Sequence, residues 1–348
     1  MRRKTPFKFI LLLVPIALVW FALKDLEYDA IWNVLRSLSI NKIFALAALN
    51  GLILLLMAGR WWLILRAFGY SLPLKSILGY RATAFGISYF TPGTQFGGEP
   101  YQIKMAHDRH SIPMDVGLST VSLDKLFELV FNFSFLIGGL SLLFFRGVNW
   151  DFQFSGFSYI IFFLFLLPLI YFIFLWVGLY PLSKLVTQHN RHLSKIEILE
   201  RSADLVISAE RSISKFIRDK PGYIVLLGLY SCVLWLLIVS EYWLSLAFLG
   251  ANLDLGAVII ALTTARLAFL MPFPGAVGAL EVSQVWIMDT LGFNPALGVS
   301  LVFLIRFRDV ALGLIGISLG SMSIRGLVRP GPITHAVKVT NSPDYTDI

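Results

Sequence analysis

The chain has 348 residues, 57% of them hydrophobic and only 14% charged, with a formal net charge of +8 and a mean hydropathy of +0.75. A soluble protein carries about 25% charged residues, so this composition describes an integral membrane protein with several helical spans. The positive balance fits Lys- and Arg-rich cytoplasmic loops beside anionic headgroups, and nucleic-acid binding is excluded because no soluble basic domain is present to do it.

The first apolar run, Phe9 to Leu23, follows a basic head, Met1-Arg2-Arg3-Lys4. Lys24-Asp25-Leu26-Glu27 comes next with no small-residue cleavage motif, which predicts an uncleaved first helix rather than a signal peptide. A second span is expected over about Ile43 to Leu65, containing Arg60. Leu74 to Phe90 reads as a less apolar helix that carries Arg81 and stops at a Pro-Gly motif; a short polar piece, Tyr101 to Asp115, follows. A long helix over Val116 to Phe145 holds Asp124, Lys125 and Glu128, and Phe157 to Tyr180 is free of charge. The segment 181–221 is polar with alternating charges, predicting an amphipathic helix or hairpin on the membrane surface. Gly222 to Leu249 is a further span with Glu241, and the lone cysteine within it, Cys232, is expected to be a packing residue, with no disulfide available. Leu255 to Met271 carries Arg266 and breaks at Pro272-Phe273-Pro274-Gly275; Ala276 to Leu291 returns as a half-length helix. The last span, Ala296 to Ile324, is followed by a polar tail over 328–348 that is expected to be mobile.

Two stretches share one punctuation. Thr91-Pro92-Gly93-Thr94-Gln95-Phe96-Gly97-Gly98-Glu99-Pro100 and Phe273-Pro274-Gly275-Ala276-Val277-Gly278-Ala279-Leu280-Glu281 each place a Glu seven positions after a Pro. Asp124 lies 25 positions beyond Glu99, and Arg306 lies 25 beyond Glu281. Glycine and proline interrupt a helix, and broken backbone within a bilayer is tolerated only where protein or water encloses it. Lys and Arg cluster at the N-terminus, in 181–221 and in the tail. These basic regions share one side if 74–115 and 255–292 each enter and leave by the same face. The fold class that follows is an all-α polytopic membrane protein. It has about six full transmembrane helices and two re-entrant or broken hairpins, both termini being cytoplasmic. Each half, about 1–145 and 157–324, crosses three times, so the two form an inverted repeat, an architecture of secondary transporters. Residues 1–327 then make a single domain.

A charge at the centre of a span costs about 2.5–3.5 kcal/mol on insertion scales. Arg60, Arg81, Asp124, Lys125, Glu128, Glu241, Arg266, Glu281, Arg306, Arg308 and Asp309 must therefore face each other or water. Arg306 and Asp309, three apart, have the spacing of an intrahelical pair. Glu99 and Pro100 suit the first turn of a helix, and free N–H groups at Gly97 and Gly98 would suit a phosphate. His107 and His110 lack the further ligands of a metal site. There is no Walker A or G-x-G-x-x-G pattern, so no cofactor and no metal are expected.

These motifs together, Gly97-Gly98-Glu99-Pro100, Asp124-Lys125-x-x-Glu128, Pro272-x-Pro-Gly-x-x-Gly-x-x-Glu281 and Arg306, resemble the lysylphosphatidylglycerol synthase transmembrane-region family, or flippase-like domain proteins. Ala276-Val277 and Lys125 depart from the family's commoner Gly-Leu and Arg. The longest polar segment is too short for the cytosolic aminoacyltransferase found in bifunctional members, so aminoacyl transfer is not expected. The resemblance implies a plasma-membrane lipid transporter for an anionic or zwitterionic headgroup, a phospholipid or a polyprenyl-phosphate lipid. Its expected substrate-binding residues are Gly97, Gly98, Glu99, Asp124, Lys125, Glu128, Arg266, Pro274, Gly275, Gly278, Glu281 and Arg306. Beyond substrate and bilayer, a second copy or a lipid-synthesising enzyme is the partner to look for. The alternatives are a membrane enzyme using Asp124 and Glu128 as acid and base, and a non-catalytic subunit that docks through 181–221.

Overall fold

The computed structural model describes Trp32 and Arg36 and residues 38–91, 97–146, 155–193, 197–271, 273–328 and 337–338. The expected first span, Phe9 to Leu23, and the Pro92–Phe96 part of the first turn lie outside the described residues.

Helices account for nearly all of it. In chain order they are α1 (Ile40–Ala67), α2 (Leu74–Phe90), α3 (Glu99–His110), α4 (Met114–Phe145), α5 (Ser155–Val177), α6 (Pro181–Leu193), α7 (Glu197–Asp219), α8 (Pro221–Phe248), α9 (Leu255–Ala268), α10 (Ala279–Thr290) and α11 (Pro295–Val328). A single 3-10 turn, Pro274–Ala276, lies between α9 and α10. By length and apolar composition α1, α4 and α8 can each cross a membrane, and the end of α5 with the start of α6 makes a fourth candidate bent by 93°. The 34-residue α11 is long enough, but Arg306, Arg308 and Asp309 stand together within it. Its outward face nevertheless reads Phe303, Phe307, Val310 and Leu314, all exposed. Residues three or four apart share a helical face, so the charges turn inward and an apolar stripe is left for lipid.

The polar piece after the first break is helical, as Glu99-Pro100 predicts for its start. It is α3, with Pro100 in its first turn and Glu99 at its positive end, as the dipole favours. Segment 181–221 forms two amphipathic helices, α6 and α7, packed on each other, and the apolar face of α7 meets protein. Ile213, Phe216 and Ile217 of α7 are buried in the same core cluster as Val121, Leu123 and Phe127 of α4. Glu210 of α7 caps α6: it accepts the Leu182 and Ser183 N–H groups at 3.1 and 2.7 Å and the Tyr171 hydroxyl at 3.2 Å. That carboxylate occupies N–H groups left open at a helix start and fixes the bend after α5. Cys232 does not pack; it is exposed on the outer face of α8. Within the tail, Val337 and Lys338 (β2) pair antiparallel with Ser71 and Tyr70 (β1), so those two residues are anchored rather than loose.

The packing is reciprocal between early and late helices. Where α2 meets α11, a β-carbon on Gly86 would come within 2.5 Å of the Gly313 carbonyl oxygen, and one on Gly316 would strike the Ala82 carbonyl. The Thr83 hydroxyl donates to Gly316 O at 2.7 Å, and Gly320 leaves no space for a β-carbon against Thr83. Where α9 meets α4, Gly139 leaves none against Thr263. Small residues are what allow helix backbones to approach this closely in lipid.

Candidate functional site

The site begins with the i, i+4 spacing of Asp124 and Glu128, which puts both carboxylates on one face of α4. Arg60 of α1, 1% exposed, donates from Nε to Asp124 Oδ1 at 2.6 Å and from Nη2 to the Asp124 carbonyl at 3.2 Å. Arg81 of α2 reaches Asp124 Oδ2 at 2.8 Å and Glu128 Oε2 at 2.9 Å. Lys125 closes the group, with Nζ 2.9 Å from Glu128 Oε1 and 3.4 Å from Glu99 Oε1. Three helices and the start of a fourth are tied by one network whose members could not be exposed to lipid singly.

The two broken turns are closed alike at their described glutamate ends. In the first, Glu99 Oε2 accepts the Gly97 N–H at 2.8 Å, while Oε1 faces Lys125. In the second, Glu281 Oε2 accepts the Gly278 N–H at 2.8 Å, while Oε1 lies 2.6 Å from Arg306. Each glutamate closes its own turn with one oxygen and holds a cation of the following long helix with the other. Gly97 and Gly278 have φ of 133° and 85°, a region that side-chain-bearing residues avoid. Gly98 is needed for a different reason: a β-carbon there would fall on the Ala84 backbone. The expectation of free N–H groups for phosphate is overturned, because Gly97 donates to Glu99 and Gly98 donates to Ser88 Oγ at 3.0 Å. Nor does Arg306 pair with Asp309. Arg306 donates to Glu281 Oε1 and to Gly275 O at 3.0 Å, and Asp309 accepts instead from Arg308 Nε at 2.8 Å. The two breaks also touch, since a β-carbon on Gly275 would lie 3.2 Å from the Tyr89 ring at the end of α2.

Between them lies a cavity of about 260 Å³. One wall carries Arg60, Arg81, Glu99, Lys125 and Glu128; the other carries Glu241, Arg266, Arg308 and Asp309. Arg308 Nη1 donates to Glu241 Oε1 at 2.9 Å, and the Arg266 guanidinium lies over Trp235, 5.1 Å from the ring centroid. Beyond the helix ends, Arg146, just after α4, binds Asp254, just before α9, through two hydrogen bonds. That contact holds the Asp254 carboxyl down to about 2.

Of the residues expected from sequence, Glu99, Lys125, Glu128 and Arg266 line the cavity. Asp124 sits behind the wall and positions Arg60 and Arg81. Gly97, Gly98, Pro274, Gly275 and Gly278 shape the turns, and Glu281 with Arg306 braces the second turn away from the lining. Arg60, Arg81, Glu241, Arg308 and Asp309 were legible only as buried charges. Gln102 gave no signal at all, yet it is 1% exposed and on the wall. His107 and His110 serve locally: His107 Nδ1 lies 2.8 Å from Ile112 O, and His110 Nε2 lies 3.1 Å from the Tyr80 hydroxyl.

Comparison with known proteins follows the same lines. A family model described as the lysylphosphatidylglycerol synthase TM region matches residues 8–316. A UPF0104 membrane protein of Methanocaldococcus jannaschii is 22% identical over 318 residues, covering 87% of this chain and 90% of the relative. No solved structure matches the chain.

Proposed function

The chain belongs to the lysylphosphatidylglycerol synthase transmembrane-region family, and from that premise we propose that it is a plasma-membrane flippase, moving a phospholipid or polyprenyl-phosphate lipid between leaflets. The observation that carries this reading is the cavity of about 260 Å³ lined by charges of both signs between two broken hairpins. A volume below the roughly 300–1,000 Å³ of pockets for drug-sized ligands suits a headgroup alone, with its acyl chains left in the bilayer. Crossing requires a headgroup to exchange its hydration for partners, a role this reading gives to Lys125, Glu128, Arg266 and Arg308, which line the cavity.

The scaffold is an inverted repeat of six spans with both termini cytoplasmic. Its supports are the matched 28-residue α1 and α8, the matched 12-residue α3 and α10, and the two Glu-closed turns. The exchanged contacts add to them, Thr83 lying against Gly320 and Thr263 against Gly139. Discontinuous helices at the interface of such repeats form the site in many secondary transporters. The rival assignment of Asp124 as a general acid or base is disfavoured by its position, because two guanidiniums already hold both of its oxygens.

The test is a fluorescent-phospholipid accessibility assay in proteoliposomes. Arg266→Gln and Met57→Trp, the second narrowing the cavity without removing charge, are each expected to slow translocation at least tenfold. Wild-type rates in both variants, with folded protein, would contradict the proposal.

A further inference from the structure

The ionic groups around the cavity divide unevenly. On the side of the first hairpin, Arg60, Arg81 and Lys125 meet Glu99, Asp124 and Glu128 at 2.6 to 3.4 Å, and every carboxylate there has a cation. The opposite wall is not closed in this way. Arg308 alone serves Glu241 and Asp309, through Glu241 Oε1 and Asp309 Oδ1. Glu241 Oε1 also accepts from Asn50 and Ser245. Among the described residues, the second oxygen of each carboxylate accepts no hydrogen bond. Arg266 shares that wall, lies over the face of Trp235, and makes no hydrogen bond or close ion pair with a carboxylate among the described residues.

A positive group and open carboxylate oxygens thus line one cavity with no hydrogen bond or close ion pair between them. Charges withdrawn from water ordinarily pair or neutralise. A third observation points the same way. Gln102 lines this cavity, is 1% exposed, and has an amide nitrogen with no acceptor among the described residues. Buried donors are normally satisfied, so the cavity leaves one amide donor without an acceptor beside a guanidinium and two carboxylate oxygens that are open to a ligand.

We propose that the cavity receives a zwitterionic headgroup, its phosphate on Arg266 and its primary ammonium between the open oxygens of Glu241 and Asp309. The assignment rests on reading the cavity as a lipid-headgroup site. Guanidinium presents paired donors that match phosphate oxygens, and an ammonium brings three donors to two carboxylates. A purely anionic headgroup satisfies Arg266 and leaves Glu241 and Asp309 repelling it. A quaternary ammonium keeps the charge but has no N–H to donate. The order of affinity is therefore primary-amine zwitterion, then quaternary zwitterion, then anion.

The experiment is titration of the detergent-purified full chain with short-chain phosphatidylethanolamine, phosphatidylcholine and phosphatidylglycerol, followed by native mass spectrometry. Phosphatidylethanolamine is expected to bind at least tenfold more tightly than phosphatidylglycerol. Arg266→Gln weakens both, whereas Glu241→Gln combined with Asp309→Asn abolishes the preference without weakening phosphatidylglycerol. Equal or tighter binding of phosphatidylglycerol by the wild-type chain overturns the assignment, and so does a preference that survives in the folded double variant. Binding is read separately from translocation. Selective binding by a protein that moves no lipid in liposomes keeps the headgroup assignment and overturns the flippase, and transport without the preference does the reverse.

Discussion

Asp124 shows what a single residue does here. It is 2% exposed and bonded to Arg60 and Arg81 from two other helices, so its removal leaves the buried Arg60 guanidinium without a carboxylate and Arg81 with Glu128 alone. Breaking a buried pair from one side costs about 3–5 kcal/mol, and Asp124→Ala is expected to lose that much stability in detergent unfolding. Lys104→Ala, which breaks an ion pair whose lysine is 67% exposed, should cost less than about 1 kcal/mol. Sequence gave the cost of each buried charge but not its partner. Asp124 and Glu128 were visible as one helical face because the period of a helix is fixed. That Arg306 reaches back to Glu281 rather than along to Asp309 depends on how α10 packs on α11, which no local pattern encodes. The open oxygens of Glu241 and the orphan amide of Gln102 were invisible for the same reason.

At the scale of elements, the legible features were those with a local cause. Leu74 and Phe90 bound α2 as read, because proline precedes the first and a broken turn follows the second. The alternating charges of 181–221 were legible as amphipathic, but amphipathicity does not say whether the apolar face meets lipid or protein. The burial of Phe216 in a shared core decides for protein. The seam between α2 and α11 makes the sharpest prediction about an element. Gly316→Leu must push the helices apart against the Ala82 backbone, and overpacking of this kind costs about 1–3 kcal/mol. Gly51→Ala on α1, where a β-carbon meets nothing within 4 Å, should instead stabilise, by up to about 1 kcal/mol through helix propensity. Thermal midpoints of the two variants in one detergent compare them directly; equal midpoints would deny the tight seam.

For the whole molecule, hydropathy and charge bias were enough to place this chain in a membrane, and the paired Pro-Gly-Glu turns located its two interruptions. What they left open was where the interruptions sit relative to each other. The structure brings Gly275 against Tyr89 and sets the two charged walls around one cavity. The most direct test of that cavity as the path of a headgroup is photocrosslinking in proteoliposomes. A phospholipid carrying a diazirine on its headgroup is activated, and the adducts are mapped by peptide mass spectrometry. Adducts concentrated on the peptides that hold Lys125, Arg266 and Arg308 are the result expected here. Adducts confined to the outer face, at residues such as Phe144 and Leu314, would contradict it.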